Sequence, residues 1–366
     1  MPELIKMLQR HNITILKERG FKMKKIIALV LAVTLCSAVF SGCGSAPKKV
    51  VKVYNAAEYI AEGVIEEFEK ETGYKVVYSE FASNEDMYTK IKTTSYDVLV
   101  PSDYMIDKLV KEDLIQPLNY DNIPNYQYID ETFKSPYYDE NDQYSVPYMW
   151  STVGILYDGD KVTDEVDDMS IMWNEKYSGK IFMLDSVRDT MGMTLKKLGY
   201  SVNTENDSEL AQAKEELLKQ RPLILGYVTD EVKDKIISGE GYLGLVYSGE
   251  AGKAMEEKDS LKYAIPNNGT IYCVDAMVVP KSAENKDGAE AFINFMQRPD
   301  IAARNAQETC YGITNTQGRD QLPDEVKNNK GLYPDNDVLE RSEMLQSEGN
   351  INQKYLEIWN EITASH

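Results

Sequence analysis

The chain is 366 residues long, 42% hydrophobic and 27% charged, with a formal net charge of −20; this is the composition of a folded globular protein with enough chain for two cores. Its 60 acidic side chains against 40 basic ones set up a field that repels nucleic acid and anionic membrane surfaces and concentrates small cations. Histidine occurs only at His11 and His366, which excludes Ser-His-Asp and Cys-His chemistry, and a histidine-ligated zinc, from the body of the chain.

In chain order, Lys24 and Lys25 precede an apolar run, Ile26 to Val39, of signal-peptide length and too short to span a membrane. The run ends in Phe40-Ser41-Gly42-Cys43, which resembles the lipobox of a bacterial lipoprotein. Residues 1–42 are therefore expected to be cleaved away, leaving Cys43 lipidated, residues 43–49 as a tether, and the folded part outside the cytoplasm on the cell membrane. Met23 is expected to be the true start, since Met23-Lys24-Lys25 is itself an ordinary signal start. Cys36 leaves with this segment, so Cys273 and Cys310 are the cysteines of the folded part, either bonded or as two thiols.

Beyond the tether, strands alternate with helices. Val50 to Tyr54 reads as a strand, and Val64 to Lys70 has helical spacing that stops at Thr72-Gly73. Lys75 to Tyr78 is a second strand, Asn84 to Lys92 a helix, and Tyr96 to Val100 a third strand closed by Pro101. This βαβαβ order predicts an α/β fold with a mainly parallel sheet and helices on both faces. The pattern resumes with a strand at Lys180 to Leu184, a helix from Asp185-Ser186 to Leu198, and strands at Leu223 to Tyr227, Leu243 to Tyr247 and Ile271 to Val279.

Ligands of open α/β sheets lie beyond the carboxyl ends of the strands. The residues found there are Glu58-Tyr59, Ser102-Asp103-Tyr104, Asp185-Ser186 with Asp189, Thr229 and Tyr247, with Asp275 inside an otherwise apolar strand. Carboxylates accept charge-assisted hydrogen bonds and aromatic faces hold both cations and methylene chains, so this set suits an amine. Ser102-Asp103 and Asp185-Ser186 also read as ordinary helix caps, and Glu58 and Glu250 as solvated first-turn acids. Asp275 resists such a reading, because an unpaired carboxylate among apolar residues is costly.

Six segments in order resemble the spermidine/putrescine-binding component of polyamine ABC transporters: Val53 to Tyr59, Glu66 to Val76, Tyr96 to Ser102, Tyr144 to Trp150, Lys197 to Ser201, and Asn294 to Asp300. The resemblance implies a two-lobed, periplasmic-binding-protein-like fold. Residues 49–151 and 274–320 would form the first lobe, and 152–273 and 321–366 the second, joined by crossovers near Trp150-Ser151, Val274 and Asp320. Carried over by position, the amine-facing residues are Glu58, Tyr59, Ser102, Tyr104, Ser186, Asp189, Thr229, Tyr247 and Asp275, with Tyr311 and Gln346 and the neighbouring Asp103, Asp185 and Cys273. The departures thin the aromatic box: Ala56-Ala57 stand where the family has Trp-Thr, Cys273 and Tyr247 stand for tryptophans, the family's tyrosine near Thr314 is shifted to Tyr311, and Ser186 stands for an acid.

The resemblance implies a monomer that closes on its ligand and docks on a membrane permease, with energy from a separate ATPase, since this chain has no Gly-x-x-x-x-Gly-Lys-[Ser/Thr] phosphate loop. It implies no enzyme activity, no cofactor, no resident metal and no nucleic-acid partner. The alternatives are another small amine, cation or metal ion on the same scaffold, a ligand-sensing lipoprotein, and an exported hydrolase pairing Asp185 with Asp189 or Asp275.

Overall fold

A computed structural model describes residues 49–229, 231–346 and 351–364. The expected signal segment, the lipidation residue Cys43 and the tether up to residue 48 lie outside the described residues.

The β-branched start of the folded part forms β1 (Val50–Ala56), and the next strand is β2 (Lys75–Phe81), parallel to it from Val50↔Lys75 to Ala56↔Phe81. Strand β3 (Val98–Leu99) pairs with the other side of β1, again parallel. Three helices connect and follow these strands: α1 (Val64–Thr72), α2 (Asn84–Lys90) and α3 (Asp103–Lys111). Helix α1 buries Val64 and Phe68 one turn apart and ends at Gly73, whose φ of 74° lets its N–H reach Glu69 O. The cap of α2 is Ser83, one residue before the expected Asn84, with its Oγ accepting from Asp86 N.

An added Cβ at Gly73 would touch nothing within 4 Å, so substitution there tests backbone strain alone. Gly73→Ala is expected to lower the unfolding free energy by about 1 kcal/mol in urea titration, with ligand binding unchanged.

Strand β4 (Ser145–Asp158) is buried along almost its whole length. Its first half runs antiparallel to β9 (Tyr272–Val278), and its second half runs antiparallel to β7 (Leu243–Tyr247) and β8 (Leu261–Ala264). β4 thereby passes from one half of the sheet into the other, with Trp150 opposite Val274 and Ser151 opposite Cys273. Strands β5 (Ile181–Leu184) and β6 (Ile224–Val228) complete the order β2-β1-β3-β9-β4-β7-β5-β6, with β5 parallel to both β6 and β7. The short β10 (Gly312–Ile313) adds to β4 at Trp150 and Met149.

The later helices of six or more residues are α4 (Val187–Lys197), α5 (Asp207–Gln220), α6 (Val232–Ile237), α7 (Ser248–Glu257), α8 (Lys286–Met296), α9 (Pro299–Thr309) and the terminal α10 (Ile351–Ala364). Apolar side chains collect on the two sides of the crossing. Val51, Val53 and Phe68 meet Phe292 and Phe295 in one core, while Ile155, Phe182, Leu245 and Ala251 form another. Leu322, Leu332 and Tyr333 pack on the first of these, whereas Tyr355 and Trp359 of α10 pack against Met191, Leu210 and Leu217 of α4 and α5. Cys273 and Cys310 are free thiols.

Candidate ligand-binding site

The carboxyl end of β3 leads through Pro101 to Ser102 and helix α3. Ser102 holds the N-cap position but makes no capping bond with its side chain. Its hydroxyl instead accepts from Asn84 Nδ2 at 3.0 Å and lies against Asp275, to which Ser102 is bridged through the backbone. Asp103 is 1% exposed; its Oδ1 accepts from Tyr104 N at 2.6 Å and its Oδ2 from Val274 N at 3.3 Å. Burial pushes the Asp103 carboxyl up to about 8, and the charges of Asp275 and Asp189 push in the same direction.

Strand β9 brings Asp275 into the same space. Tyr59, carried by the turn after β1, donates its hydroxyl to Asp275 Oδ2 at 2.5 Å, and Tyr148 holds Tyr59 by donating to its carbonyl at 2.6 Å. Burial raises the Asp275 carboxyl, opposed by the hydrogen bonds from Ser102 and Tyr59. Two residues before Asp275, the thiol of Cys273 lies 2.9 Å from Ser151 Oγ. Burial raises that thiol strongly, with the charges of Asp275, Asp103 and Asp189 adding to the effect. All three carboxylates therefore bear on one point between the strands.

The opposite wall is built at the ends of β5, β6 and β7. Ser186 caps α4 and also donates to Asp189 Oδ2 at 2.5 Å, so the cap and the site share one hydroxyl. Tyr247, at the end of β7, donates to the same oxygen at 2.8 Å. Asp189 is 6% exposed, and burial raises it against the hydrogen bonds of Ser186 and Tyr247 and the charge of Arg188. Asp185, Thr229, Val232 and Glu250 line the adjoining pocket of about 110 Å³.

Tyr59, Ser102, Asp103, Ser186, Asp189, Tyr247, Cys273 and Asp275 thus converge. Tyr311 joins them, its ring 5.2 Å from that of Tyr59 and over Gly249, where an added Cβ would meet it at 2.4 Å. Of the remaining candidates, Tyr104 donates to Glu85, Thr229 donates to Glu231 beside the pocket it lines, and Glu58, directly before Tyr59, is paired with Lys253 at 2.8 Å. Gln346 is held through its backbone, donating to Asn203 Oδ1 and accepting from Arg188 Nη1. Among the described residues no group of three or more His, Cys, Asp or Glu side chains is placed to hold one metal ion.

Sequence reasoning passed over Tyr138, Arg188 and Ser151. The Tyr138 hydroxyl is buried with no hydrogen-bond partner among the described residues, under the influence of Asp103 and Asp275. Tyr138 lies in an irregular segment with no periodicity to mark an inward position. Arg188 directly precedes Asp189, and an arginine beside an acid in a first helical turn looks like a surface pair.

The family model described as bacterial extracellular solute-binding protein matches residues 63–334. The chain is 34% identical over 346 residues to the spermidine/putrescine-binding periplasmic protein of Escherichia coli strain K12, covering 93% of this chain and 99% of that protein. It is 32% identical over 340 residues to the putrescine-binding periplasmic protein SpuD of Pseudomonas aeruginosa, covering 87% and 93%. Among solved structures, the spermidine/putrescine ABC transporter substrate-binding protein PotD of Streptococcus pneumoniae, in complex with calcium and HEPES, superposes with a TM-score of 0.82 at 34% identity, covering 86% of this chain and 98% of that one. The TpPotD lipoprotein of Treponema pallidum gives 0.78 at 28% identity, covering 86% and 99%. Among the described residues no helix is long and apolar enough to cross a membrane.

Proposed function

This chain belongs to the bacterial extracellular solute-binding proteins, and on that footing we propose that it captures a polyamine, spermidine or putrescine, in its acidic cleft and delivers it to the permease of an ABC transporter. The observation that carries the reading is the convergence of Asp103, Asp189 and Asp275, each bonded by hydroxyl or backbone N–H groups and none by a lysine. Desolvated carboxylates of this kind are unfavourable in an empty site and become favourable when an ammonium supplies the missing charge. The family and fold are those of binding proteins and not of enzymes, which sets the paired-carboxylate hydrolase aside.

In this reading the two cores are the two lobes, β4 and β9 are the crossovers, and closure brings Asp189 and Tyr247 toward Asp103 and Asp275. The packing of Leu322, Leu332 and Tyr333 on the first core favours a return to the second lobe after Tyr333. Cys43 would tether the protein to the membrane, where a monomer presents both lobes to its permease and partner ATPase. Cys273 and Tyr247 keep the alternative of another small amine open, because neither offers the face of a tryptophan.

The test is calorimetric titration of residues 46–366, refolded to remove carried-over ligand, with putrescine, spermidine and spermine. Micromolar or tighter binding of at least one is expected, and no heat from any of them would refute the polyamine reading.

A further inference from the structure

The acids of the cleft fall into two sets that differ in what already neutralises them. The inner set is Asp103, Asp189 and Asp275, and the cation bearing on it is Arg188. That guanidinium donates to Gln346 O at 2.8 Å and Asn203 Oδ1 at 2.9 Å, over the Tyr355 ring. When all three carboxylates are ionised, the one guanidinium leaves two positive charges to be supplied by the ligand.

The outer set is Glu58 and Glu250, and each already holds a lysine from the second wall. Lys253 of α7 lies 2.8 Å from Glu58, and Lys233 lies 2.6 Å from Glu250. Glu58 is presented by a left-handed backbone with φ 55° immediately before Tyr59. The hydrogen bond and charge of Lys253 hold its carboxyl below the usual range, with Lys233 adding. Lys253 stands one helical turn beyond Gly249, where the Tyr311 ring meets α7, and its ammonium pairs with the residue directly before Tyr59. The Lys253 side chain is 22% exposed and that of Glu58 77%, so a mostly covered ammonium sits against a carboxylate that faces solvent.

Resting on the polyamine reading, we propose that Lys253 sets ligand length: its ammonium occupies the outer acidic position at Glu58, so the cleft prefers a compact diamine on the inner carboxylates over longer polyamines. A third ammonium would have to displace Lys253 from Glu58 or remain unpaired at the rim. A diamine has no charge to place there and meets no such competition.

The experiment is calorimetric titration of wild type and Lys253→Gln with putrescine and spermidine, the fold being checked by circular dichroism. Because an exposed ion pair is a weak competitor, spermidine affinity is expected to rise about two- to fivefold in the variant while putrescine affinity stays within about twofold. Lys253→Met is expected to give the same result, and adding Glu58→Gln to either variant is expected to remove the gain. An unmoved spermidine-to-putrescine ratio, or a gain that survives Glu58→Gln, would overturn the length assignment while leaving the polyamine reading in place. If the wild type bound no polyamine, that reading would fall and the length assignment with it.

Discussion

Asp275→Asn is expected to weaken polyamine binding about 100-fold while the circular dichroism spectrum stays that of the wild type. Removing one partner of a desolvated, hydrogen-bonded charge pair costs about 2 to 5 kcal/mol, and about 2.7 kcal/mol is a factor of 100 in affinity. The amide is close in size to the carboxyl, so the space is refilled. It keeps one oxygen for the Tyr59 hydroxyl, which now bonds at 2.5 Å, but it turns an NH2 group with no negative charge toward the ligand. The ammonium then loses its partner at the junction of the two walls. Tyr59→Phe provides a graded comparison: it removes one hydrogen bond to the carboxylate and leaves the charge, with an expected loss of about tenfold. An Asp275→Asn protein that bound within threefold of the wild type would remove Asp275 from the site, and the assignment of this cleft as the binding site would go with it.

The parts of this fold that can be read in the sequence are those whose boundaries carry their own chemistry. β1, α1, β2 and β3 are delimited by β-branched runs, by Gly73 in a left-handed cap and by Pro101 after the strand. β4 escapes such reading for a physical reason. It is buried on both faces, so it shows no alternation, and it contains Pro147, which argues against a central strand. The structure accommodates that proline where the pairing with β9 shifts register, between Pro147 and Met149, and its carbonyl is taken by Gln297 Nε2 and Thr314 Oγ1. The site divides in the same way. Asp275 is legible because a carboxylate in Val274-Asp275-Ala276-Met277 demands an explanation. Asp103 reads equally well as a cap or a ligand, and only its 1% exposure separates it from Ser102. Lys253 is the one lysine of α7 and reads from the sequence as a solvated surface charge, and its pairing with Glu58, 195 residues away in sequence, is a product of the tertiary fold.

The same buried acids make binding depend on pH. In the empty cleft the Asp103 carboxyl is pushed up to about 8 by burial, and burial also raises Asp189 and Asp275. Near neutrality Asp103 therefore holds a proton where the ligand's charge will go. An alkylammonium such as that of lysine has a pKa of about 10.4 and stays charged throughout this range. Binding the cation requires the carboxylates, so protons leave as the ligand enters, and linkage makes the affinity rise with pH. With Asp103 alone releasing one proton, the association constant is expected to rise about tenfold per unit from pH 6 toward 8 and to level off above about 8. The stability of the empty protein moves the other way. These groups have folded-state pKa values above the unfolded aspartate value of about 3.9, so their contribution is full below that value and is lost as pH rises through the folded values. A polyamine should therefore raise the melting temperature more at pH 8 than at pH 6, because it restores the charge balance that deprotonation removed. Calorimetry at pH 7 in two buffers of different ionisation enthalpy measures the protons directly, as a difference in apparent binding heat. Equal heats in the two buffers, together with an affinity that does not change between pH 6 and 8, would show that Asp103 is ionised in the empty cleft, and the ligand would then be entering a site whose negative charge is already in place.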